Sequence, residues 1–200
     1  MRLKILDILL MPKSFYSRIK NKKSTLILGI LLVGIINTVS SLNSKSILNS
    51  KSFTLQNIVL ICVFIIAFGL IDVFFFSKPL SDIFNHFTKS KDIDKNETLV
   101  KVMKIYITAH LTMLIYLAVS FISLLFPVLL NNILWGFFII LFNIIIPVWF
   151  SAIITRGLNV IYTIQEVYRG LIFIAVYLWG FLEGSAIGYM FDVLMNRFIS

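Results

Sequence analysis

"AFGLIDVFFFSKPLSDIFNHFTKSKDIDK", residues 67–95, passes from a continuous apolar run into a half-polar segment and then into a charged one. The apolar run ends at residue 76 and contains one acidic residue, Asp72. Such a run predicts a membrane-spanning helix, and the half-polar segment predicts a helix that lies along the membrane surface before the chain re-enters. A similar alternation of apolar and polar segments organises the rest of the chain.

The composition places the protein in the membrane class. Hydrophobic residues make up 59% of the 200 residues, only 14% are charged, and the mean hydropathy is +0.97. Soluble domains are about 45–50% apolar and about 25% charged. At about 20 residues per crossing, the chain has room for five or six spans. We therefore expect a single membrane domain over residues 1–200 and no separate soluble catalytic domain.

Five apolar windows without Lys or Arg predict an all-α fold, a polytopic integral membrane protein with five transmembrane helices. The first window is long and lacks a small-residue cleavage motif, so we expect a retained span and not a cleaved signal peptide. Only PVLLNN separates the third and fourth spans, which predicts a tight helical hairpin, and Pro147 inside the fourth predicts a kink. The predicted spans are residues 25–42, 58–76, 105–126, 133–154 and 171–191.

Two amphipathic segments lie outside the predicted spans. The leader, residues 1–23, mixes leucines with charges, is interrupted by Pro12, and continues with Phe15, Tyr16 and Ile19 among basic residues, which predicts a segment lying in the membrane interface. Residues 77–89 predict a short cytoplasmic surface helix that begins at Pro79, followed by a solvated linker, SKDIDKNE. The predicted apolar face of this helix holds Leu80, Ile83, Phe84 and Phe87, and the polar face holds Ser81, Asp82, Asn85 and Lys89.

The basic residues are unevenly divided between the two sides that five spans create. With the N-terminus inside, 15 Lys and Arg lie on the cytoplasmic side and 3 outside. This asymmetry predicts a multi-pass protein of the cell membrane with a cytoplasmic N-terminus and an external C-terminus. With a net charge of +9, the basic leader and second loop indicate contact with the lipid bilayer and with anionic lipid headgroups. No basic patch is interleaved with aromatic residues, which argues against a nucleic-acid partner.

Asp72 and His110 are predicted to lie at matching depth, near the cytoplasmic ends of the second and third spans. An ionisable side chain in lipid costs roughly 2.5–3.5 kcal/mol on insertion scales, so each should face protein and find a partner. We expect the two to make contact. The contact serves either as a proton relay or as a structural hydrogen bond, and the alternative is that each side chain snorkels separately to the interface.

Glu183 lies near the middle of the fifth span, with no basic residue at its depth. We expect its carboxyl to be uncharged and to donate a hydrogen bond to Asn143 in the fourth span or to Asn37 in the first. The residue is then either a proton or cation site or a hydrogen bond between helices.

Gly180, Gly184 and Gly188 recur every four residues in GFLEGSAIG, near the end of the chain. A stripe of small residues lets another helix backbone approach closely. We expect it to pack against a helix of the same chain or, in the alternative, to form a homo-oligomer contact.

Enzyme signatures are not matched. IQEVYRGLIF, residues 164–173, superficially resembles the E-E-x-x-x-R motif of CAAX-type intramembrane proteases, but Ile164 and Gln165 occupy the positions of its two glutamates. The two histidines, His86 and His110, also lie upstream of this segment, whereas the base residues of that family lie downstream. Metalloprotease, serine hydrolase, Walker A and zinc-binding spacings are absent too. We therefore expect a non-enzymatic protein without catalytic, cofactor-binding or metal-binding residues.

Three segments together resemble the Yip domain (Ypt-interacting protein) family of five-span membrane proteins, in a bacterial branch. They are ILLMPKSFYSRIK before the first span, DIFNHFTKSKDIDKNETLVKVMKIYITAHL entering the third, and VWFSAIITRGLNVIYTIQEVYRGLIFIAV between the fourth and fifth. The resemblance implies a membrane scaffold or interaction protein of undefined activity, with no functional residues that map onto particular positions.

Two functions remain open from the sequence. The first is a scaffold that acts through lipid, a membrane-protein partner or a homo-oligomer. The second is a small membrane transporter or the membrane subunit of a transport system, which is favoured if Asp72, His110 and Glu183 converge on one cavity.

Overall fold

The computed structural model describes residue 7 and residues 9–20, 22–44, 55–87 and 95–198. The predicted loops at residues 43–57 and 90–97 lie mostly outside these ranges. All regular structure among the described residues is helical. The α-helices are α1 (Lys13–Ser17), α2 (Lys23–Ser44), α3 (Leu55–Phe87), α4 (Lys95–His110), α5 (Met113–Leu125), α6 (Ile133–Ile161) and α7 (Arg169–Phe198), with 3₁₀ turns at Pro127–Asn131 and Glu166–Tyr168.

Five helical segments are long and apolar enough to cross a membrane, and each covers one predicted span except for Phe126 at the end of the third. This confirms the all-α fold class and fits a multi-pass membrane protein. All five are longer than predicted, and four of them have 29 to 32 residues, because their polar ends continue as helix beyond the apolar window. The segments are Lys23–Leu42, Leu55–His86, Lys95–Leu125, Ile133–Ile161 and Glu166–Leu194.

Helices α3 and α4 lie at the centre of the bundle. Helix α3 packs against α2, α4 and α7, while α4 packs against α2, α3 and α6. The main core draws buried side chains from these helices, among them Val33, Phe76, Ile105, Ile154 and Val176. Every helix that lines the candidate site described below therefore packs against α3 or α4.

The half-polar segment after the second span is helical, but it is not a separate helix. Helix α3 runs unbroken from Leu55 to Phe87 with Pro79 in its interior, so the prediction that Pro79 starts a new helix is wrong. Leu80 and Phe84 are buried as predicted, whereas Ile83 is 50% exposed and Ser81 is buried. The face is rotated because Tyr162, just after α6, stacks on Phe84 and lies 3.4 Å from the Ser81 hydroxyl.

The predicted third span is interrupted between α4 and α5. After His110, the backbone N–H groups of Leu111 and Thr112 donate to the carbonyls of Thr108 and Ala109, three residues earlier. The Thr112 hydroxyl also donates to Ala109 O, at 2.8 Å. These bonds tighten one turn and satisfy its backbone within the protein, as a membrane setting requires.

The short connection between α5 and α6 confirms the predicted hairpin. A 3₁₀ turn at Pro127–Asn131 joins the two helices, and Asn132 caps α6 by accepting from Leu134 N at 2.9 Å. Across the hairpin, Trp135 Nε1 donates to Ser123 Oγ at 2.9 Å. Pro147 lies within the continuous helix α6.

Helices α2 and α3 make a close backbone contact at two glycines that the sequence analysis did not single out. A Cβ added at Gly34 would collide with the Ile65 carbonyl oxygen, and one added at Gly69 would collide with the Ile30 carbonyl oxygen. The predicted stripe of Gly180, Gly184 and Gly188 does not contact the backbone of another helix in this way. Gly180 has only ring carbons of Phe76 and Phe150 at 3.6–4.0 Å, and nothing lies within 4 Å of a Cβ at Gly184 or Gly188.

The described part of the leader docks on the bundle and is more than an interfacial segment. Tyr16 of α1 is 1% exposed, and its hydroxyl donates to Leu10 O at 2.7 Å. Trp149 Nε1 of α6 donates to Leu9 O at 2.5 Å, and Asp7 is ion-paired with Arg156. Burial raises the pKa of Tyr16 to about 12, so the phenol stays protonated at neutral pH and acts as the donor.

We predict that Gly34→Ala lowers stability by about 1–3 kcal/mol, because the added methyl group forces α2 away from the α3 backbone. Gly184→Ala is the matched control in another spanning helix, and we expect a change within about 0.5 kcal/mol since that site is open. Thermal unfolding of both variants in one detergent measures the difference. Equal effects of the two substitutions would contradict the close contact.

We predict that Tyr16→Ala releases the leader from α6, because the substitution removes a fully buried ring, a change that typically costs about 3–5 kcal/mol. Limited trypsin digestion at Lys13 and Arg18 measures the release. Phe15→Ala, at the neighbouring and 40% exposed position, is the control and should leave the cleavage rate near that of the wild type. Equal cleavage of the two variants argues against docking through Tyr16.

Candidate intramembrane site

A cavity of about 810 Å³ lies among α2, α3, α4, α5, α6 and α7. All four polar residues singled out in the sequence, Asp72, His110, Asn143 and Glu183, line it. Asp72, His110 and Glu183 are each at most 8% exposed. The volume lies within the roughly 300–1,000 Å³ range of small-molecule sites.

Asp72 is the centre of the polar cluster. Its Oδ2 accepts from Asn37 Nδ2 at 2.6 Å, and its Oδ1 accepts from the Tyr106 hydroxyl at 2.5 Å. His110 Nε2 lies 3.5 Å from Oδ2, so the predicted contact between Asp72 and His110 is present. Three side chains from two neighbouring helices thus face one buried carboxylate.

Both ring nitrogens of His110 face acceptors. Nδ1 is 3.2 Å from the backbone carbonyl oxygen of Tyr106, and Nε2 faces the Asp72 carboxyl group. The neutral imidazole has one N–H and can donate to only one of these acceptors, whereas the protonated ring donates to both. Proton uptake by His110 therefore makes its contact with Asp72 an ion pair.

Tyr106 is the site residue that the sequence analysis missed. It lies one helical turn before His110 on α4, and this spacing of four residues was the available signal. Its ring stacks on Phe76, with centroids 4.0 Å apart, and meets Phe150 edge-on at 5.5 Å. This packing fixes the hydroxyl between two carboxyl groups, Asp72 and Glu183.

Glu183 is the less satisfied of the two carboxyl groups. Its Oε2 lies 3.4 Å from the Tyr106 hydroxyl, whose single hydrogen is directed to the nearer Asp72 oxygen at 2.5 Å. Its Oε1 is buried and has no hydrogen-bond partner among the described residues. The Tyr106 hydroxyl thus lies between the Glu183 and Asp72 carboxyl groups. The pair therefore offers a position for a proton or another cation.

The predicted partners of Glu183 are wrong. Asn37 donates to Asp72, and Asn143 donates back to Ile139 O of its own helix at 3.0 Å. Asn143 lines the cavity without taking part in the carboxyl cluster. The predicted depths were compatible with either asparagine, but the rotation of each helix directs its side chain elsewhere.

The glycine stripe of α7 forms part of the cavity wall. Gly180, Gly184 and Gly188 all line it, and the absence of side chains at these positions leaves space beside Glu183. Their role within the chain is therefore to make room, and the predicted packing against another helix of the same chain is wrong at Gly184 and Gly188.

The cavity wall is acidic and aromatic. Two carboxyl groups and one imidazole line it, and no Lys or Arg of the described residues does. Aromatic rings of Tyr106, Tyr116, Phe150 and Tyr177 add faces that attract cations. Among the described residues, no group of three or more His, Cys, Asp or Glu side chains is placed to hold a metal ion.

Comparisons with known proteins return no match: no family model, no curated protein and no solved structure matches this chain.

We predict that Tyr106→Phe destabilises the protein by about 1–3 kcal/mol, since the buried Asp72 carboxylate loses a donor that nothing nearby replaces. Tyr177→Phe is the matched control, because Tyr177 lines the same cavity and makes none of the contacts to Asp72 or Glu183. Thermal unfolding in detergent at neutral pH compares the two. A Tyr106→Phe variant as stable as Tyr177→Phe would show that the hydroxyl does not support the cluster.

Proposed function

We propose that the protein is a small membrane transporter, or the membrane subunit of a transport system, whose cavity exchanges a small cation for a proton. The observation that carries the proposal is the buried Glu183 carboxyl, with one oxygen lacking a partner among the described residues, beside a cavity of about 810 Å³. The proposed activity involves no covalent chemistry. This is the transport function that the sequence left open.

Charge balance within the membrane supports exchange. Two buried carboxyl groups that meet at one hydroxyl repel one another when both are ionised, so the site favours holding a positive charge. A proton on Glu183 and an organic or metal cation near it satisfy the same requirement. Entry of one therefore favours release of the other.

His110 supplies a second proton acceptor in the same cluster. Its Nε2 lies 3.5 Å from Asp72 Oδ2, and the neutral ring has one nitrogen without a hydrogen that can take up a proton. We propose that it receives the proton that leaves the carboxyl pair, which gives the predicted relay a direction from Glu183 through Asp72 to His110.

We also propose the orientation that the distribution of Lys and Arg predicts. The leader and the α3–α4 connection face the cytoplasm of a cell membrane, and the C-terminus lies outside. The proton acceptors then lie nearer the cytoplasmic end of the bundle, and Glu183 lies deeper.

We predict that the purified protein, reconstituted in sealed acid-inside vesicles with an enclosed pH dye, releases protons when a small cation is added outside. Tetramethylammonium, Na⁺ and K⁺ are the probes; none of them has a neutral form that crosses lipid unaided. Glu183→Gln should lower the rate at least about tenfold, because the amide neither ionises nor releases a proton.

Asn143→Ala is the matched control for this assay, since Asn143 lines the cavity outside the carboxyl cluster and should leave proton release nearly unchanged. Asp72→Asn provides a second variant within the cluster. If the wild type releases no protons with any probe, or if both carboxyl variants only lower folded yield, the transport proposal fails.

A second candidate function is interaction with another membrane helix, as the resemblance to the Yip domain family implies. The observation that favours it is the stretch of α7 where Gly184 and Gly188 have no neighbouring atoms within 4 Å of a Cβ position. A helix from a partner or a second copy of this chain can approach closely at such a surface.

Glu183→Gln separates the two functions, because Gly184→Ile would fill the cavity wall as well as the open surface. Under the interaction function, Gly184→Ile abolishes crosslinking to the partner or second copy in membranes, while Glu183→Gln leaves crosslinking intact. Under the transport function, Glu183→Gln loses proton release, and crosslinking of the wild-type protein gives no product larger than the monomer.

A further inference from the structure

A second cleft, of about 380 Å³, lies at the end of the bundle where the leader meets α2 and α4. Four cations from separate parts of the chain line it: Arg18 and Lys20 after α1, Lys22 before α2, and Lys104 of α4. No acidic side chain among the described residues lines this cleft. Four positive charges gathered without a counter-charge repel one another, and an anion bound among them relieves the repulsion.

The leader is held in this position by Lys104. Its Nζ donates to the backbone carbonyls of Lys20 and Lys22, the latter at 2.8 Å. Two of its three N–H groups are used in this way, which leaves one for a ligand. The cation thus ties the leader to α4 and places the side chains of Lys20 and Lys22 at the edge of the cleft.

The two threonines of the cleft do not compete with the cations as donors. Thr25 Oγ1 donates to Lys22 O at 3.0 Å, and Thr108 Oγ1 donates to Lys104 O at 2.8 Å. Their hydrogens are committed to the backbone, so a bound anion is held by charged nitrogens. Phosphate oxygens match such a group of Lys and Arg donors.

A neighbouring basic cleft differs in its charge. It has a volume of about 600 Å³ and is lined by Lys13, Arg156 and Arg169. Arg156 is ion-paired with Asp7, and Arg169 with Glu166 at 2.8 Å. Two of its three cations are therefore already compensated, and the cleft at Lys104 has the larger uncompensated charge.

We propose that the cleft formed by Arg18, Lys20, Lys22 and Lys104 binds the phosphate headgroup of an anionic phospholipid. Phe15, which is 40% exposed, and Ile107 form the apolar part of its wall, as a ligand with an acyl chain requires. The cleft also lies where an amphipathic leader meets the first residues of a spanning helix, at the depth of lipid headgroups. The site does not depend on the transport activity proposed above.

The test measures the apparent affinity of the purified full-length protein for phosphatidylglycerol, as the rise in melting temperature on titrating the lipid into a phosphatidylcholine background. The variant combines Arg18→Gln, Lys20→Gln and Lys22→Gln and leaves Lys104 in its structural role. We expect its affinity to fall at least about tenfold below that of a control variant with the same net charge.

The control combines Lys78→Gln, Lys95→Gln and Lys101→Gln. These lysines lie outside both clefts; Lys78 and Lys101 are ion-paired within their own helices with Asp82 and Glu97. Because both triple variants lose three charges, general attraction to an anionic surface falls equally in both. The difference between them reports the cleft alone.

A parallel titration with inorganic phosphate identifies the source of the phosphate group. We expect little stabilisation, since free phosphate lacks the acyl chain. Equal stabilisation by phosphate and by phosphatidylglycerol overturns the assignment to lipid, and equal lipid affinity of the two triple variants overturns the site. Loss of lipid response in Glu183→Gln, with the cleft intact, would also contradict the independence of the two sites.

Discussion

A carboxylate buried among membrane-spanning helices needs donors from its neighbours, and the arrangement of this protein follows from how Asp72 obtains them. Asn37 of α2 and Tyr106 of α4 both donate to it, at 2.6 and 2.5 Å. Lipid tails offer no donor to replace either one, so separating the helices leaves an unsatisfied charge. The cluster therefore holds α2, α3 and α4 in register as well as forming the site.

The close contact between α2 and α3 makes this hydrogen bonding possible. Gly34 and Gly69 let the two backbones approach until a methyl group at either position would strike a carbonyl oxygen. Asn37 and Asp72 each lie three residues after one of these glycines, on the same faces of their helices. The short side chains of Asn37 and Asp72 can then meet across the interface. The close packing at the two glycines therefore allows the hydrogen bond on which the site depends.

The two proposed binding sites have opposite charges and lie at different depths. The cavity beside Glu183 has acidic and aromatic walls within the bundle, while the cleft at Lys104 is basic and lies where the leader joins it. The cavity has room beside Glu183 because glycines of α7 line it, whereas long basic side chains line the cleft. A cation in the first and a lipid phosphate in the second would each neutralise charge that the described residues leave uncompensated.

The sequence by itself determined the membrane class, the five spans and the ionisable residues within them, because hydropathy and helix length depend on local composition. It also placed Asp72 and His110 at one depth, which was enough to predict their contact. It did not determine that α3 continues through Pro79, that Tyr106 completes the cluster, or that Asn37 faces Asp72 and not Glu183. Those outcomes depend on the rotation of each helix and on close packing at Gly34 and Gly69, and only the tertiary structure decides them, since a residue's depth along one helix says nothing of the direction in which its neighbours point.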